Sequence, residues 1–125
     1  MKRLLFPVLL LMLLSLAACG GPESPVEVVE AFIQATVDGD ADAMDDLVCA
    51  EELALAKERV RLLREQGVTM EVEASYTLKY EKETKAKVVV DGTMTMTDEA
   101  GKTEHEDFTE TLKLIKEDGR WKFCD

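Results

Sequence analysis

Apolar residues recur every three or four positions before Gly67 and every second position after it. Val28, Val29, Phe32, Ile33 and Thr36 share the side of a helix. By contrast, Val68, Met70, Val72, Ala74, Tyr76, Leu78 and Tyr80 alternate with Thr69, Glu71, Glu73, Ser75, Thr77 and Lys79. Thirteen residues of unbroken alternation specify one long strand with a dry face and a wet face. A chain that is helical before this point and extended after it cannot form interleaved βαβ units. It reads as an α+β fold, with N-terminal helices packed on one face of a curved, four-stranded antiparallel sheet.

The punctuation around these runs sets the elements. Ser24-Pro25-Val26-Glu27 has the form of a capping box, with proline at the first helical position, and Gly39 is a natural stop. Asp40 can cap a short second helix carrying Ala43, Met44, Leu47 and Val48 on one side. A third helix, about residues 51–66, turns Leu53, Ala56, Val60 and Leu63 inward, and Gly67 supplies its left-handed end. The first strand covers about residues 68–80. The second, about 85–97, places Ala86, Val88, Val90, Met94 and Met96 on one face, with Gly92 expected to mark a bend or bulge. A third strand over about 103–116 brings Phe108, Leu112 and Leu114 inward. Glu117-Asp118-Gly119 makes a tight hairpin into a short last strand bearing Trp121 and Phe123.

The N-terminus speaks to location. Lys2 and Arg3 precede an apolar run from Leu4 to Leu14, interrupted by Pro7 and closed by Leu16-Ala17-Ala18-Cys19. This is the plan of a secretory signal, too short at its core for a stable membrane span. Its end resembles the bacterial lipobox, which implies cleavage before Cys19 and diacylation of the cysteine sulfur. Residues 1–18 are therefore expected to be a signal peptide, 19–23 a lipidated cysteine with a short linker, and 24–125 a single domain. The expected place is the extracytoplasmic side of a cell membrane or outer membrane. Gly20 stands where many Gram-negative lipoproteins retained in the inner membrane carry aspartate.

Of 15 basic and 26 acidic residues, Lys2 and Arg3 leave with the signal. The mature chain then has a net charge of about −13, which opposes binding to nucleic acid or to anionic headgroups. Membrane contact falls to the acyl chains, which anchor stably only when there are two or more. Acylation of Cys19 also leaves Cys49 and Cys124 as an even pair in an oxidising compartment, and they are expected to form a disulfide. Cys124 has the opposite parity to Trp121 and Phe123. Its thiol must therefore reach the helices from the end of the last strand or around its edge.

Ser24-Pro25-x-x-Val28-Val29-x-x-Phe32, Asp38-Gly39-Asp40 leading into Met44-x-x-Leu47, and the tail Asp118-Gly119-Arg120-Trp121-Lys122-Phe123 carry a resemblance. The chain resembles the nuclear transport factor 2-like (cystatin-like) superfamily. More narrowly, it is similar to small bacterial lipoproteins of the domain of unknown function 4878 type. The resemblance implies a cone in which a bent sheet wraps the first helix, often around a pocket. Some superfamily members are isomerases or dehydratases with an acidic or histidine base in that pocket, and many others only bind. In this chain Phe32, Tyr76, Tyr80, Met94, Met96, Glu110 and Trp121 are the candidates to line it.

Glu110 is the unusual one, because it shares the register of Phe108 and Leu112. A carboxylate desolvated in an apolar cone is a candidate general base. Glu106 has the same parity, so either the sheet opens to water at that end or a bulge flips the register. Asp38, Asp40 and Asp42 lack the glycine and bidentate glutamate of a calcium loop, because Ala43 and Cys49 stand there. Met94 and Met96 with His105 suggest a soft-metal set, yet the same alternation puts the methionines on the core face and His105 on the wet one. No phosphate loop or serine elbow is present, and a single histidine limits any triad. Neither metal nor cofactor is expected. The function expected is that of a lipid-anchored, non-catalytic envelope module for a protein partner or small apolar ligand. The alternative is a small-molecule isomerase or dehydratase using Glu110.

Overall fold

The computed structural model describes residues 23–125; the expected signal peptide and Cys19 lie outside the described residues. Helix α1 (Pro25–Asp38) begins with proline at its start, and the Ser24 hydroxyl accepts from the Glu27 N–H at 3.1 Å. The Glu27 carboxylate reaches back one residue beyond Ser24, accepting from the Glu23 N–H at 3.1 Å. At the other end Gly39 takes φ 70°, and the Asp40 N–H closes on the Ala35 carbonyl at 2.9 Å. This is the six-residue closure that a left-handed glycine permits.

The short second helix is a single 3₁₀ turn, Asp42–Asp46, with the Asp40 carboxylate accepting from the Ala43 N–H at 3.1 Å. The expected helical side of Ala43, Met44, Leu47 and Val48 breaks up, because Val48 forms a parallel bridge to Phe123. Met44, Leu47 and Val48 are all buried nonetheless. Helix α2 (Leu53–Glu65) follows, starting two residues later than its pattern suggests. It ends where Val68 N–H donates to the Leu63 carbonyl across Gly67, which has φ 68°. Val60 is its one fully buried side chain, whereas Leu55 and Leu62 are 55% and 45% exposed.

Strands β1 (Thr69–Glu81), β2 (Lys85–Thr97), β3 (Thr103–Glu117) and β4 (Arg120–Phe123) form one antiparallel meander in chain order. Across the face toward α1, Val72 stands opposite Met94 and Met94 opposite Glu106. Tyr76, Val90 and Glu110 form a second such row. Asp118 and Gly119 both have positive φ, 55° and 77°, as a two-residue hairpin with matching twist requires.

Two expectations along the strands are corrected. Gly92 carries no bulge: the register runs unshifted from Ala74 through Gly92 to Phe108. Glycine is needed there because a Cβ would lie 2.1 Å from the Glu73 carbonyl oxygen and 2.7 Å from Ala74 Cα. The irregularity falls instead between Leu78 and Tyr80. The extra residue reverses parity, so Tyr80 stands opposite Lys87 and leaves the inner face. Its ring lies 5.6 Å from Lys87 Nζ and 5.7 Å from Lys82 Nζ.

The core lies where α1 crosses the inner face of the sheet. Val28 and Val29 pack toward Val88, Val90 and Leu114, with Met44 and Trp121 closing the cluster. Each of these aliphatic side chains, removed from water, contributes about 1.5–3 kcal/mol. At the sheet's end the segment around Val48 joins the edge of β4. The Phe123 N–H donates to the Leu47 carbonyl at 2.8 Å, and the Cys49–Cys124 disulfide spans 5.5 Å between Cα atoms.

Candidate functional site

The core fills only part of the concave face. Beyond Val90 the sheet continues past the C-terminal half of α1, leaving an open cleft of about 280 Å³. Phe32, Ile33 and Thr36 of α1 form one wall, and Met70, Val72, Val90 and Met94 of β1 and β2 form the floor. Phe108 and Leu112 of β3 complete the apolar surface, and Glu106 and Glu110 stand among them. The alternation of the strands explains this membership. Glu106, Phe108, Glu110 and Leu112 are every second residue of β3 and therefore share one face. Neither the bulge nor any other register change reaches Glu110.

Two consequences follow for the chemistry of the cleft. Glu106 and Glu110 are both exposed, so water solvates their carboxylates and the desolvated setting expected for a general base is missing. Among the described residues the lining contains no histidine, lysine or arginine. The arrangement can hold an apolar group and attract positive charge. It offers no pairing of unlike titratable groups, the usual basis of acid–base division of labour.

The other candidates are distributed as follows. Phe32, Met94 and Glu110 come together in the cleft. Met96 lies next to it, in a second hollow with Glu104, His105 and Glu106 that shares Met94 with the cleft. Tyr76 is half-buried against the core and lies outside the cleft lining. Burial raises its phenol above the ordinary value near 10, and the negative charge of Glu30 adds to the shift. Trp121 is also a core residue and not a wall residue, with Lys116 Nζ 5.1 Å from its ring. Tyr80 has left the inner face altogether. Met70, Val72 and Ile33 were not among the sequence candidates, although the parity of the two strand residues with Tyr76 already marked them as inward.

The residues weighed as metal ligands are placed as follows. Thr95 Oγ1 and His105 Nδ1 are 2.9 Å apart, and both have the strand parity opposite to Met94 and Met96, although His105 also borders the hollow beside the methionines. Asp38 accepts from the Gln34 amide at 2.9 Å, Asp40 caps the 3₁₀ turn, and Asp42 is exposed. Among the described residues, Cys49, Glu52 and Cys124 are close enough to share an ion, but the two sulfurs are bonded to each other. Glu52 there accepts from the Asp125 N–H at 2.7 Å, so the group fastens the end of the chain.

No protein-family model matches the sequence, and no curated protein matches it. Solved structures do match the fold. A nuclear transport factor 2-like superfamily protein from Salmonella enterica superposes with a TM-score of 0.65 at 14% identity, covering 78% of this chain and 82% of that one. A candidate dehydratase of the same family from Streptomyces avermitilis gives 0.63 at 10% identity, with 77% and 86% covered. The intermembrane space region of the chloroplast protein ARC6 gives 0.61 at 10% identity, with 78% and 88% covered. The chain therefore has the nuclear transport factor 2-like fold. That fold carries both enzymes and proteins that are not enzymes, so function has to be argued from the cleft.

Proposed function

We propose that this protein is a lipid-anchored, non-catalytic binding module of the bacterial envelope, of the small-lipoprotein type, that takes a small, largely apolar ligand in the cleft under α1. The carrying observation is the cleft itself: an open apolar surface of about 280 Å³ whose only titratable lining groups, among the described residues, are two solvated carboxylates. Its size is close to the lower end of known ligand pockets. The anchoring half rests on Leu16-Ala17-Ala18-Cys19 and the charged, apolar run before it. Among the described residues no helix is long and apolar enough to cross a membrane. Two or three acyl chains on Cys19 would supply stable attachment by themselves.

Glu110 keeps a second reading in view, because it does stand in the cleft, on the face a substrate would occupy. An isomerase or dehydratase built on it would need the bound substrate to displace the water now around the carboxylate.

Membrane fractionation and titration test the two halves separately. Wild-type protein should remain with membranes after a carbonate wash, and Cys19→Ser should be released or accumulate unprocessed. Retention of Cys19→Ser on membranes refutes the anchor. Neutral eight-carbon alcohol should shift the methyl resonances of Met70 and Met94 and leave that of the buried Met44 in place. Equal response of all three, or of none, refutes the cleft.

A further inference from the structure

The cleft is apolar along its floor and acidic along one wall only. We infer that its ligands are amphipathic organic cations, with an apolar body lying between Phe32, Val90 and Phe108 and an ammonium group at Glu106 or Glu110. This rests on the binding reading above and adds the charge class of the ligand.

The inner face of β3 shows the pattern. Glu104 stands opposite Met96, Glu106 opposite Met94 and Glu110 opposite Val90, so the carboxylates run alongside the apolar floor. The adjoining hollow sets Met94 and Met96 beside Glu104 and Glu106, with His105 also at its border. Glu104, at the end of this row and outside the cleft, has Lys102 Nζ 3.9 Å from its carboxylate, whereas among the described residues the cleft lining carries no cationic side chain to neutralise Glu106 and Glu110. An anionic or carboxylate-bearing ligand would have to place its charge against Glu106 or Glu110 without a counter-ion, a clear penalty for like charges at short range. A cation meets the reverse. It gains a carboxylate partner and, when seated over Phe32 or Phe108, the negative face of an aromatic ring. The high negative charge of the whole chain, 26 acidic against 15 basic residues, steers the same class of ligand toward the surface. Because both carboxylates are solvated, their contribution is modest and depends on salt, while the apolar floor supplies the part that does not.

Matched eight-carbon probes separate the two contributions: octylammonium, octanol and octanoate, titrated into the full chain while the Met70 and Met94 methyl resonances are followed. Octylammonium should bind about fivefold more tightly than octanol at low salt, and octanoate more weakly than either. High salt should erase the difference between the amine and the alcohol. The double variant Glu106→Gln, Glu110→Gln should lose the preference for the amine, so that octylammonium binds no more tightly than octanol. These residues are exposed, so the fold should tolerate the change. Octanoate binding as well as octylammonium, or a preference for the amine that survives in the double variant, overturns the charge inference alone. If no probe moves Met94, the cleft reading fails and this inference fails with it.

Discussion

The backbone N–H of Cys49 donates to the carbonyl of Phe123 at 2.9 Å, which places Cys49 directly beside the residue that follows Phe123. This bond resolves the parity problem of Cys124. Its side chain need not cross to the inner face, because the segment around Val48 comes to the edge of β4 as a parallel bridge. The disulfide then closes a span of 75 residues within 5.5 Å between Cα atoms. On the chain-entropy account such a closure contributes about 4 kcal/mol. The double variant Cys49→Ala, Cys124→Ala should therefore lose most of that amount in urea unfolding. Alkylation of the unreduced protein should label neither cysteine. Labelling of both, or a double variant as stable as wild type, would refute the clasp.

Gly92 should tolerate nothing larger. An added Cβ meets backbone on the neighbouring strand, Glu73 carbonyl and Ala74 Cα, neither of which can rotate away. Gly92→Ala should cost about 2–3 kcal/mol or more, because β1 and β2 must part to admit the methyl group. Gly101 is the control. Its φ is 83° but the space around it is open, so Gly101→Ala should cost about 1–2 kcal/mol from backbone strain alone. Thermal unfolding of the two variants should rank them in that order.

Tyr76 links stability to alkaline pH. The folded chain holds its phenol proton more tightly than the unfolded chain, because ionisation would charge a half-buried group close to Glu30. That contribution is complete below the unfolded value near 10 and is lost as pH rises through the higher folded value. Urea unfolding of wild type should weaken over that window more than unfolding of Tyr76→Phe does. Identical alkaline limbs in the two proteins would contradict the burial argument.

Ser24 secures the start of α1 through its bond to the Glu27 N–H. Ser24→Ala should destabilise the domain by about 1 kcal/mol, and Ser24→Asp should restore most of it, since an aspartate can accept the same bond next to the positive end of the helix. Denaturant midpoints with unchanged slopes would show that only stability moved.

Local sequence was enough for the elements and their order. Capping residues, glycine stops and the change of period at Gly67 are read from neighbours along the chain, and they place α1, α2 and the four strands within a residue or two. Parity within one strand likewise puts Glu110 on the face of Phe108 and Leu112, as the structure has it. The failures share a cause. Tyr80 left the inner face through a bulge that depends on how β1 pairs with β2, and no composition near Lys79 signals it. Gly92 looked like a bend, but its reason is the approach of another strand. Trp121 and Tyr76 have inward parity, yet only the course of α1 across the sheet decides whether an inward residue is packed, as these are, or lines open space, as Met70 and Val72 do. Facing direction is a local property of the backbone and is written in the sequence. What covers that face depends on the packing of distant segments, and the tertiary structure alone decided it.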